Sequence, residues 1–229
     1  IHYNAADCTR FNPPLSRFQP DQISIMKNPL LISTVVVALL LGMAAAFVYM
    51  TPAPVQLQAA TWFGEQARPI PEFTLTDHSG QSFQPSTMQG KWHLLFFGYT
   101  HCPDICPETM QVMAQVLNQI EDPKLREKLQ VSFVSVDPER DSLEQMKKYV
   151  TYFHPEINSV RGDLDEINKL TDALGILHYI EKKADQSSYE VAHSGSMTLI
   201  DASGRYTAVF SAPHNPARIA ADLITLLQG

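Results

Sequence analysis

The sequence predicts an α/β fold built around a mixed sheet and preceded by one membrane-spanning helix. Residues 92–100 and 131–136 form two unbroken apolar runs, which is typical of strands buried on both faces beneath covering helices. Between them, residues 107–120 carry apolar side chains at helical spacing, so that strand, helix and strand form a βαβ unit. Near the N-terminus, residues 29–50 contain no charged residue.

The uncharged segment at residues 29–50 has the length of a membrane anchor. A helix needs about 20 apolar residues to cross the hydrocarbon core of a bilayer, whereas the apolar region of a cleaved signal peptide has about 7 to 15. Ala44, Ala45 and Ala46 resemble the small residues of a cleavage site, so cleavage is the alternative. The length favours an uncleaved, single-pass anchor.

Basic residues around the anchor set its orientation. Arg10, Arg17 and Lys27 precede it, and the next basic residue along the chain is Arg68. Basic residues are retained on the cytoplasmic side of a membrane. We therefore expect residues 1–28 to form an N-terminal cytoplasmic segment and everything beyond the anchor to cross the membrane.

The stretch MKNP at Met26 is typical of a natural start. We accordingly interpret residues 1–25, which include Cys8, as an upstream extension, and give Cys8 no role. A start of this kind lacks an Arg-rich transit peptide, which favours a bacterial inner membrane and periplasm over a mitochondrial location.

The exported part of the chain is acidic. Three of the 17 Lys and Arg residues and two of the 24 Asp and Glu residues precede residue 51, which leaves residues 51–229 a net charge of −8. Surfaces that bind nucleic acid are basic, so this composition argues against nucleic acid as a partner. The sequence also has no repeat at a fixed period, which argues against a solenoid.

The exported part begins with a tether and a hairpin. Four prolines lie between Thr51 and Phe73, so residues 51–72 are predicted to form an extended tether from the membrane to a folded domain at residues 73–229. The domain opens with the stretch FTLTDHSGQSF, in which two short strand segments flank a turn at Ser79-Gly80.

Further elements follow from periodicity and turn chemistry. Helices are predicted at residues 142–153 and 164–175, and strands at residues 189–193, 196–201 and 206–210. The chain closes with an amphipathic helix, for which Asn215 is the predicted cap and Pro216 the first helical residue.

The stretch GYTHCPDICPETM, residues 98–110, holds two of the three cysteines. A residue before proline is driven towards an extended conformation, so Cys102 is predicted to end the first apolar strand. Pro103 suits the second position of a tight turn. Pro107 suits the first position of a helix, with Cys106 as its cap. The prolines thus hold two sulfurs at the C-terminal edge of the sheet, where open α/β sheets place their sites.

Three roles are open to this pair of cysteines. The thiols either close and reopen as a redox-active disulfide or bind a metal that prefers soft ligands, such as Cu(I) or zinc. A structural disulfide is the third possibility in an oxidising compartment, although a bridge across four residues stabilises a chain little. Spacing alone does not separate redox chemistry from metal binding.

A metal site would need a third ligand, and histidines are the candidates. His101 is next to Cys102, but its side chain is expected on the other face of the strand. His193 differs from the rest because it stands just before a predicted strand and is followed by Ser194 and Gly195. The remaining histidines either lie in the extension or show no local metal-ligand spacing: His2, His78, His93, His154, His178 and His214.

Three stretches resemble the SCO/SenC family, the thioredoxin-like copper proteins of cytochrome c oxidase assembly. They are FFGYTHCPDICPETM, VSFVSVDPERDSLEQMKKYV and VAHSGSMTLIDASG. The first contains the family pattern C-P-x-x-C-P, whose cysteines are one residue further apart than in the C-x-x-C of thioredoxin. The similarity extends from about Phe73 to the C-terminus and implies a thioredoxin-like fold with an N-terminal transmembrane helix.

The resemblance also implies a ligand set. The copper ligands of the family correspond to Cys102, Cys106 and His193, and two thiolates with one imidazole suit Cu(I), with Cu(II) as the other state of the metal. Asp137 matches the family in the stretch SVDPERD, which implies a role in metal transfer or partner contact; turn formation before a proline is the alternative. Ala192 stands where the family often has Asp, so a carboxylate that could orient the imidazole is absent.

The implied function is that of a membrane-anchored copper chaperone in the bacterial periplasm. It would deliver copper to the dinuclear centre of cytochrome c oxidase subunit II, with other copper chaperones as further partners. One alternative is an enzyme, a thiol-disulfide reductase of the oxidase copper site, with Cys102 and Cys106 as its catalytic pair. A module that senses copper or redox state is the other.

Overall fold

The computed structural model of the protein describes residues 28–50, 56–182 and 189–228. The predicted N-terminal extension, including Cys8, lies outside the described residues, as do residues 51–55 of the predicted tether. The chain divides after residue 55 into an N-terminal and a C-terminal unit, which are considered separately.

The N-terminal unit is a single described helix, α1 (Pro29–Met50). Its start is capped by Asn28, whose side-chain oxygen accepts a hydrogen bond from the backbone N–H of Leu30 at 3.3 Å. Residues Pro29–Phe47 are long and apolar enough to cross a membrane. The helix predicted at residues 29–50 is therefore confirmed as a helix and is a candidate membrane span.

The C-terminal unit is organised by β-strands. In chain order, the described strands are β1 (Ala60–Trp62), β2 (Arg68–Pro69), β3 (Leu75–Asp77), β4 (Ser82–Phe83), β5 (Trp92–Gly98), β6 (Leu129–Ser135), β7 (Asn158–Arg161), β8 (His178–Lys182), β9 (Tyr189–His193), β10 (Met197–Ile200) and β11 (Arg205–Phe210).

Nine of these described strands form one mixed sheet. Its order is β1-β11-β10-β5-β6-β7-β3-β4, with β2 also paired to β11. The neighbours β5, β6 and β7 run parallel, and the other pairings are antiparallel. Strands β8 and β9 form a separate antiparallel hairpin. The predicted α/β fold with a mixed sheet is confirmed.

Helices cover both faces of the sheet. The described helices are α2 (Pro85–Met88), α3 (Ile105–Gln119), α4 (Pro123–Glu127), α5 (Leu143–Phe153), α6 (Leu164–Leu174) and α7 (Pro216–Gln228), with a short 3-10 helix at Gly64–Gln66. Helices α3, α5 and α7 contribute to one buried apolar cluster, and α6 contributes to a second.

Strand β5 shows why its sequence is apolar without interruption. Leu94 and Phe96 belong to the cluster beneath α3 and α7, whereas Leu95 and Phe97 belong to the cluster beneath α6. All four side chains are fully buried. Each such burial contributes about 1.5 to 3 kcal/mol, so both faces of β5 hold the layers together.

The C-terminal helix begins as the sequence predicts. Pro216 is the first residue of α7, and the side chain of Asn215 accepts a hydrogen bond from the backbone N–H of Arg218 at 3.1 Å. This N-cap satisfies one of the donors that the first helical turn leaves unpaired.

The structure corrects the predicted tether over its second half. Strands β1 and β2 lie within residues 51–72, and both pair with β11. The carboxylate of Asp222 in α7 also accepts hydrogen bonds from the backbone N–H groups of residues 58, 59 and 60 at 2.7 to 2.9 Å. Proline content predicts an extended backbone here, but an extended backbone with available N–H groups can also join a sheet edge.

Candidate metal centre

The two cysteines lie in the connection between β5 and α3. Strand β5 ends at Gly98, and the backbone N–H of Cys102 donates to the carbonyl oxygen of Tyr99 at 3.2 Å. The prediction that Cys102 ends the strand is therefore wrong, because a turn at residues 99–102 intervenes. Pro103 follows that turn and lies with Asp104 at a bend before the helix.

Helix α3 starts two residues earlier than predicted, at Ile105 with Asp104 as the N-cap position. Cys106 is thus the second helical residue rather than the cap, and Pro107 is the third. A proline fits there because the N–H groups of the first turn have no intrahelical partner. The start of the helix consequently brings the second sulfur under the sheet edge, where Cys106 is fully buried.

Cys102, Cys106 and His193 form one group. Their ligand atoms all lie within 4.8 Å of one another, and the sulfur of Cys106 is 3.2 Å from Nε2 of His193. Cys102 is partly exposed, and the two cysteines are not joined by a disulfide. Among the described residues, these three form the single group of side chains that could hold a metal ion.

The imidazole of His193 is oriented by its own backbone neighbour. Nδ1 lies 3.2 Å from the carbonyl oxygen of Ser194, and because a carbonyl only accepts, Nδ1 carries the proton. Nε2, the other ring nitrogen, is the one that faces the sulfurs. Metal-binding histidines commonly donate their second N–H to such an oxygen, so the Ser194 carbonyl orients the ring where Ala192 supplies no carboxylate.

Aromatic rings surround that imidazole. Phe96 and Tyr99 meet the His193 ring edge to face, with centroid distances of 6.0 and 5.8 Å. Both aromatic residues are buried. They limit the positions open to the imidazole and keep water from one side of the sulfur-nitrogen group.

The two thiols have opposite acidities. A hydrogen bond from the Cys106 thiol lowers the pKa of Cys102 to about 4, with further contributions from the His193 side chain and from the backbone N–H groups of Cys106 and Asp104. The same pairing with Cys102, together with burial, raises the pKa of Cys106. Burial therefore favours a negative charge on the more exposed sulfur of Cys102 over one on Cys106.

Asp137 does not join the sulfur-nitrogen group; its buried carboxylate holds two other side chains. Oδ1 accepts a hydrogen bond from the Tyr189 hydroxyl at 2.8 Å, and Oδ2 accepts one from Nε of Arg140. The guanidinium carbon of Arg140 lies 3.6 Å from the centre of the Tyr189 ring, and Nη1 donates to the Tyr189 carbonyl oxygen at 3.0 Å. These contacts fasten β9, the strand that ends at His193, to the loop after β6.

Asp141 fastens the cysteine-bearing loop in a similar way. Its fully buried carboxylate accepts hydrogen bonds from the backbone N–H and the hydroxyl of Thr100 at 3.2 and 2.6 Å. It also accepts one from the Ser135 hydroxyl at 2.7 Å. Arg140, Asp141 and Tyr189 are absent from the candidates that the sequence yields, although two of them belong to the stretch SVDPERD.

Gly98 allows the close approach of the second sulfur. A Cβ atom at this position would lie 2.5 Å from the sulfur of Cys106 and 2.9 Å from the Phe133 ring. Real Cβ atoms do not approach other atoms so closely. Any side chain at residue 98 would therefore displace Cys106 or the strand.

The remaining histidines in the described chain have other contacts. Nδ1 of His101 lies 3.2 Å from the Thr100 hydroxyl, which excludes it from the sulfur-nitrogen group as expected. His178 is the cross-strand partner of His193 in the hairpin, but its Nε2 lies 3.3 Å from the hydroxyl of Thr171. His214 donates from Nε2 to the Gly195 carbonyl oxygen at 2.7 Å.

The chemistry of the group follows from its donor atoms. Two thiol sulfurs and one imidazole nitrogen are soft to borderline ligands, which favour Cu(I) or zinc over hard cations. Cys102 also faces a cavity of about 320 Å³ that is lined by residues of the cysteine loop and of β9. The arrangement can hold a soft ion that remains accessible from outside.

Comparisons with known proteins point to one family. The SCO1/SenC family model matches residues 64–228. A Stutzerimonas stutzeri protein named for copper binding is 36% identical over 146 residues, which cover 64% of this chain and 71% of that protein. The mitochondrial SCO1 homolog of Homo sapiens is 33% identical over 153 residues, or 67% of this chain. The match spans about half, 51%, of that human protein.

A solved structure agrees with the fold. The structure of Bradyrhizobium japonicum ScoI with copper bound has a TM-score of 0.62 and 34% sequence identity, and the match covers 69% of this chain and 98% of that chain. The thioredoxin-like fold that the sequence resemblance implies is thereby confirmed.

Proposed function

This chain belongs to the SCO1/SenC family, and from that membership we propose that it is a copper chaperone of cytochrome c oxidase assembly. The observation that carries the proposal is the convergence of Cys102, Cys106 and His193, whose ligand atoms lie within 4.8 Å of one another. Two thiolates and one imidazole suit Cu(I). A copper-bound relative of 34% identity supports the choice of metal.

Ligand exchange is the proposed route of copper transfer. Cys102 is partly exposed and faces a cavity, whereas Cys106 is fully buried. An incoming thiolate from a client would therefore reach the ion from the side of Cys102 and replace that ligand first. Cys106 and His193 would hold the ion until the client supplies further ligands. Cu(II) would be held by the same residues.

The client and the location complete the proposal. Sco proteins are a family of cytochrome c oxidase assembly proteins. We propose that the client is oxidase subunit II, whose dinuclear centre receives the copper. Other copper chaperones are the proposed further partners. Helix α1 would act as a single-pass anchor in the bacterial inner membrane, with the tether and the copper-binding domain in the periplasm. Asp137 would support transfer by fixing the hairpin that bears His193.

Copper binding by the full chain in detergent tests the ligand set. We expect one Cu(I) per chain, measured by competition with a chromophoric chelator, and a sulfur-nitrogen environment by X-ray absorption. His193→Ala should lose tight binding, while the matched variant His101→Ala, next to Cys102 but outside the group, should keep it. Retention of one copper ion at unchanged affinity by His193→Ala would refute the three-ligand site.

A thiol-disulfide reductase is the second candidate, favoured by the unequal exposure of the two sulfurs. A partly exposed Cys102 can attack a disulfide, and the buried Cys106 lies close enough to resolve the mixed disulfide. This activity needs no imidazole ligand. His193→Ala should then reduce a disulfide between the cysteines of the oxidase copper site as fast as the natural chain, with a Cys102–Cys106 disulfide as the other product. Cys106→Ser should stall at the mixed disulfide.

A further inference from the structure

Two cavities meet at one exposed side chain beside the metal centre. The first, about 320 Å³, is lined by Cys102, Asp104 and His193 among others. The second, about 360 Å³, runs along α3 and is lined by Glu108, Val112 and Pro213 among others. Ile105 lines both. We call the two cavities together the Ile105 groove.

Ile105 is an exposed aliphatic residue in a fixed position. It stands between the two cysteines and is 39% exposed. A Cβ atom added to Gly195 would lie 2.8 Å from Cδ1 of Ile105, so its side chain packs against the loop that follows His193. Val112, two turns further along α3, and Pro213 extend the apolar surface. This apolar surface adjoins the metal centre, since Ile105 and Cys102 line the same cavity.

The charges around the groove have one sign. Asp104 and Glu108 are exposed and flank Ile105 at the start of α3. No lysine or arginine is among the described residues that line either cavity. A centre loaded with Cu(I) adds to this field, because two thiolates and one monovalent cation leave a net charge of −1.

Complementing the helix dipole is the ordinary role of acidic residues in a first turn. The carboxylate of Asp104 stands at this end of α3, but it accepts no hydrogen bond from the first turn and so does not cap the helix. The backbone N–H groups of Asp104 and Cys106 are directed instead at the sulfur of Cys102. Asp104 is exposed and lines the first cavity of the groove.

We propose that the Ile105 groove is the docking surface for a protein that exchanges copper with this chain. The contact segment of that partner carries an aliphatic side chain, which packs on Ile105, Val112 and Pro213, and lysine or arginine residues, which face Asp104 and Glu108. This inference rests on the proposed copper-carrying function. The negative charge of the groove also makes anionic thiol compounds poor copper donors or acceptors, because the groove repels them.

Copper transfer to two synthetic peptides tests the charge preference. Both peptides contain a cysteine pair and a leucine, and they differ only in flanking lysines or glutamates. The full chain in detergent, loaded with Cu(I), should transfer to the lysine peptide roughly tenfold faster or more at low ionic strength. Added salt should shrink the difference, because it screens exposed charges. Equal rates for the two peptides at low salt would overturn the proposal.

Paired variants locate the effect. The double variant Asp104→Asn with Glu108→Gln should lose most of the preference for the lysine peptide. Glu121→Gln, just beyond the C-terminal end of α3, should retain it. Ile105→Ser should slow transfer to the lysine peptide severalfold, whereas Leu164→Ser, a similarly exposed leucine on α6, should not. A preference that survives the double variant, or an Ile105→Ser rate equal to that of the natural chain, refutes the groove as the docking surface.

The experiment also separates this inference from the proposed function. If the loaded chain cannot be prepared because it binds no copper, the proposed function fails and the docking proposal fails with it. If the chain binds one copper ion and transfers it without charge preference, only the docking proposal is refuted.

Discussion

The sulfur of Cys106 lies 3.2 Å from Nε2 of His193, although 87 positions separate the two residues in the chain. Cys106 reaches that point because α3 begins directly after the turn that follows β5. His193 reaches it because β9 is fastened to the loop after β6. The contact therefore depends on residues that are not themselves candidate ligands: Gly98, Asp141 and the pair of Asp137 and Tyr189.

Gly98 supports the contact by having no side chain. Gly98→Ala would place a Cβ atom 2.5 Å from the sulfur of Cys106, and overpacking of this kind costs about 1 to 3 kcal/mol of stability. We expect a weaker Cu(I) affinity as well, because the sulfur must move. Gly204→Ala is the control: its φ of +78° brings strain but no close contact. Denaturant unfolding should show both variants destabilised, and only Gly98→Ala should lose copper affinity.

Asp141 supports the cysteine loop through Thr100 and Ser135. Asp141→Asn replaces an acceptor by a donor that faces other donors in a fully buried position, so we expect a loss of about 2 to 3 kcal/mol in unfolding free energy. Asp122→Asn provides a matched control. Asp122 accepts the backbone N–H of Lys124 at the exposed start of α4, and asparagine caps a helix about as well as aspartate. Equal stability of the two variants would contradict this role of Asp141.

Asp137 and Tyr189 support the hairpin. Tyr189→Phe removes one hydrogen bond and should cost about 1 kcal/mol, while the aromatic ring remains beneath Arg140. Asp137→Asn should cost about 2 to 3 kcal/mol, because a partly buried guanidinium loses its counter-charge. Thermal unfolding with copper titration measures both effects, and Tyr152→Phe, at an exposed tyrosine, is the control. Unchanged stability of Asp137→Asn with slower copper transfer would instead assign the carboxylate to the transfer step.

The acidity of Cys102 gives a pH dependence in the metal-free protein. Its pKa falls from 9.0 to about 4 on folding. Because the folded-state value is the lower one, the thiolate stabilises the fold fully above pH 9.0, and this stabilisation is lost as the pH falls towards 4. The difference in unfolding free energy between the natural chain and Cys102→Ser should therefore grow as the pH rises through that range. A difference independent of pH would refute the assigned acidity.

The sequence predicts the elements that carry their own local signals. The burial of β5 and β6 follows from unbroken apolar runs, and the start of α7 follows from Asn215 and Pro216. The prolines of the cysteine stretch correctly predict a turn before a helix. They misplace the helix start by two residues, because a proline is tolerated throughout the first turn and not only at its first position.

Other features depend on contacts between distant parts of the chain. Strands β1 and β2 are short and lie among prolines, so only their pairing with β11 defines them. Strand β8 (His178–Lys182) is likewise defined by its pairing with β9. The roles of Arg140 and Tyr189 depend on a contact across 49 positions, for which periodicity gives no sign. The place of His193 before a strand marks it as a candidate, but its assignment as a ligand rests on the family resemblance.

The hairpin of β8 and β9 shares no ladder of hydrogen bonds with the main sheet within the described chain. The two sulfurs thus follow a strand of the main sheet, whereas the imidazole lies on the separate hairpin. An ion held by all three atoms links the hairpin to the main sheet. Ion binding and the docking of the hairpin therefore strengthen each other by the same free energy. A client that pulled the hairpin aside would loosen the ion without touching a sulfur, and a captured ion would in turn make the hairpin harder to displace.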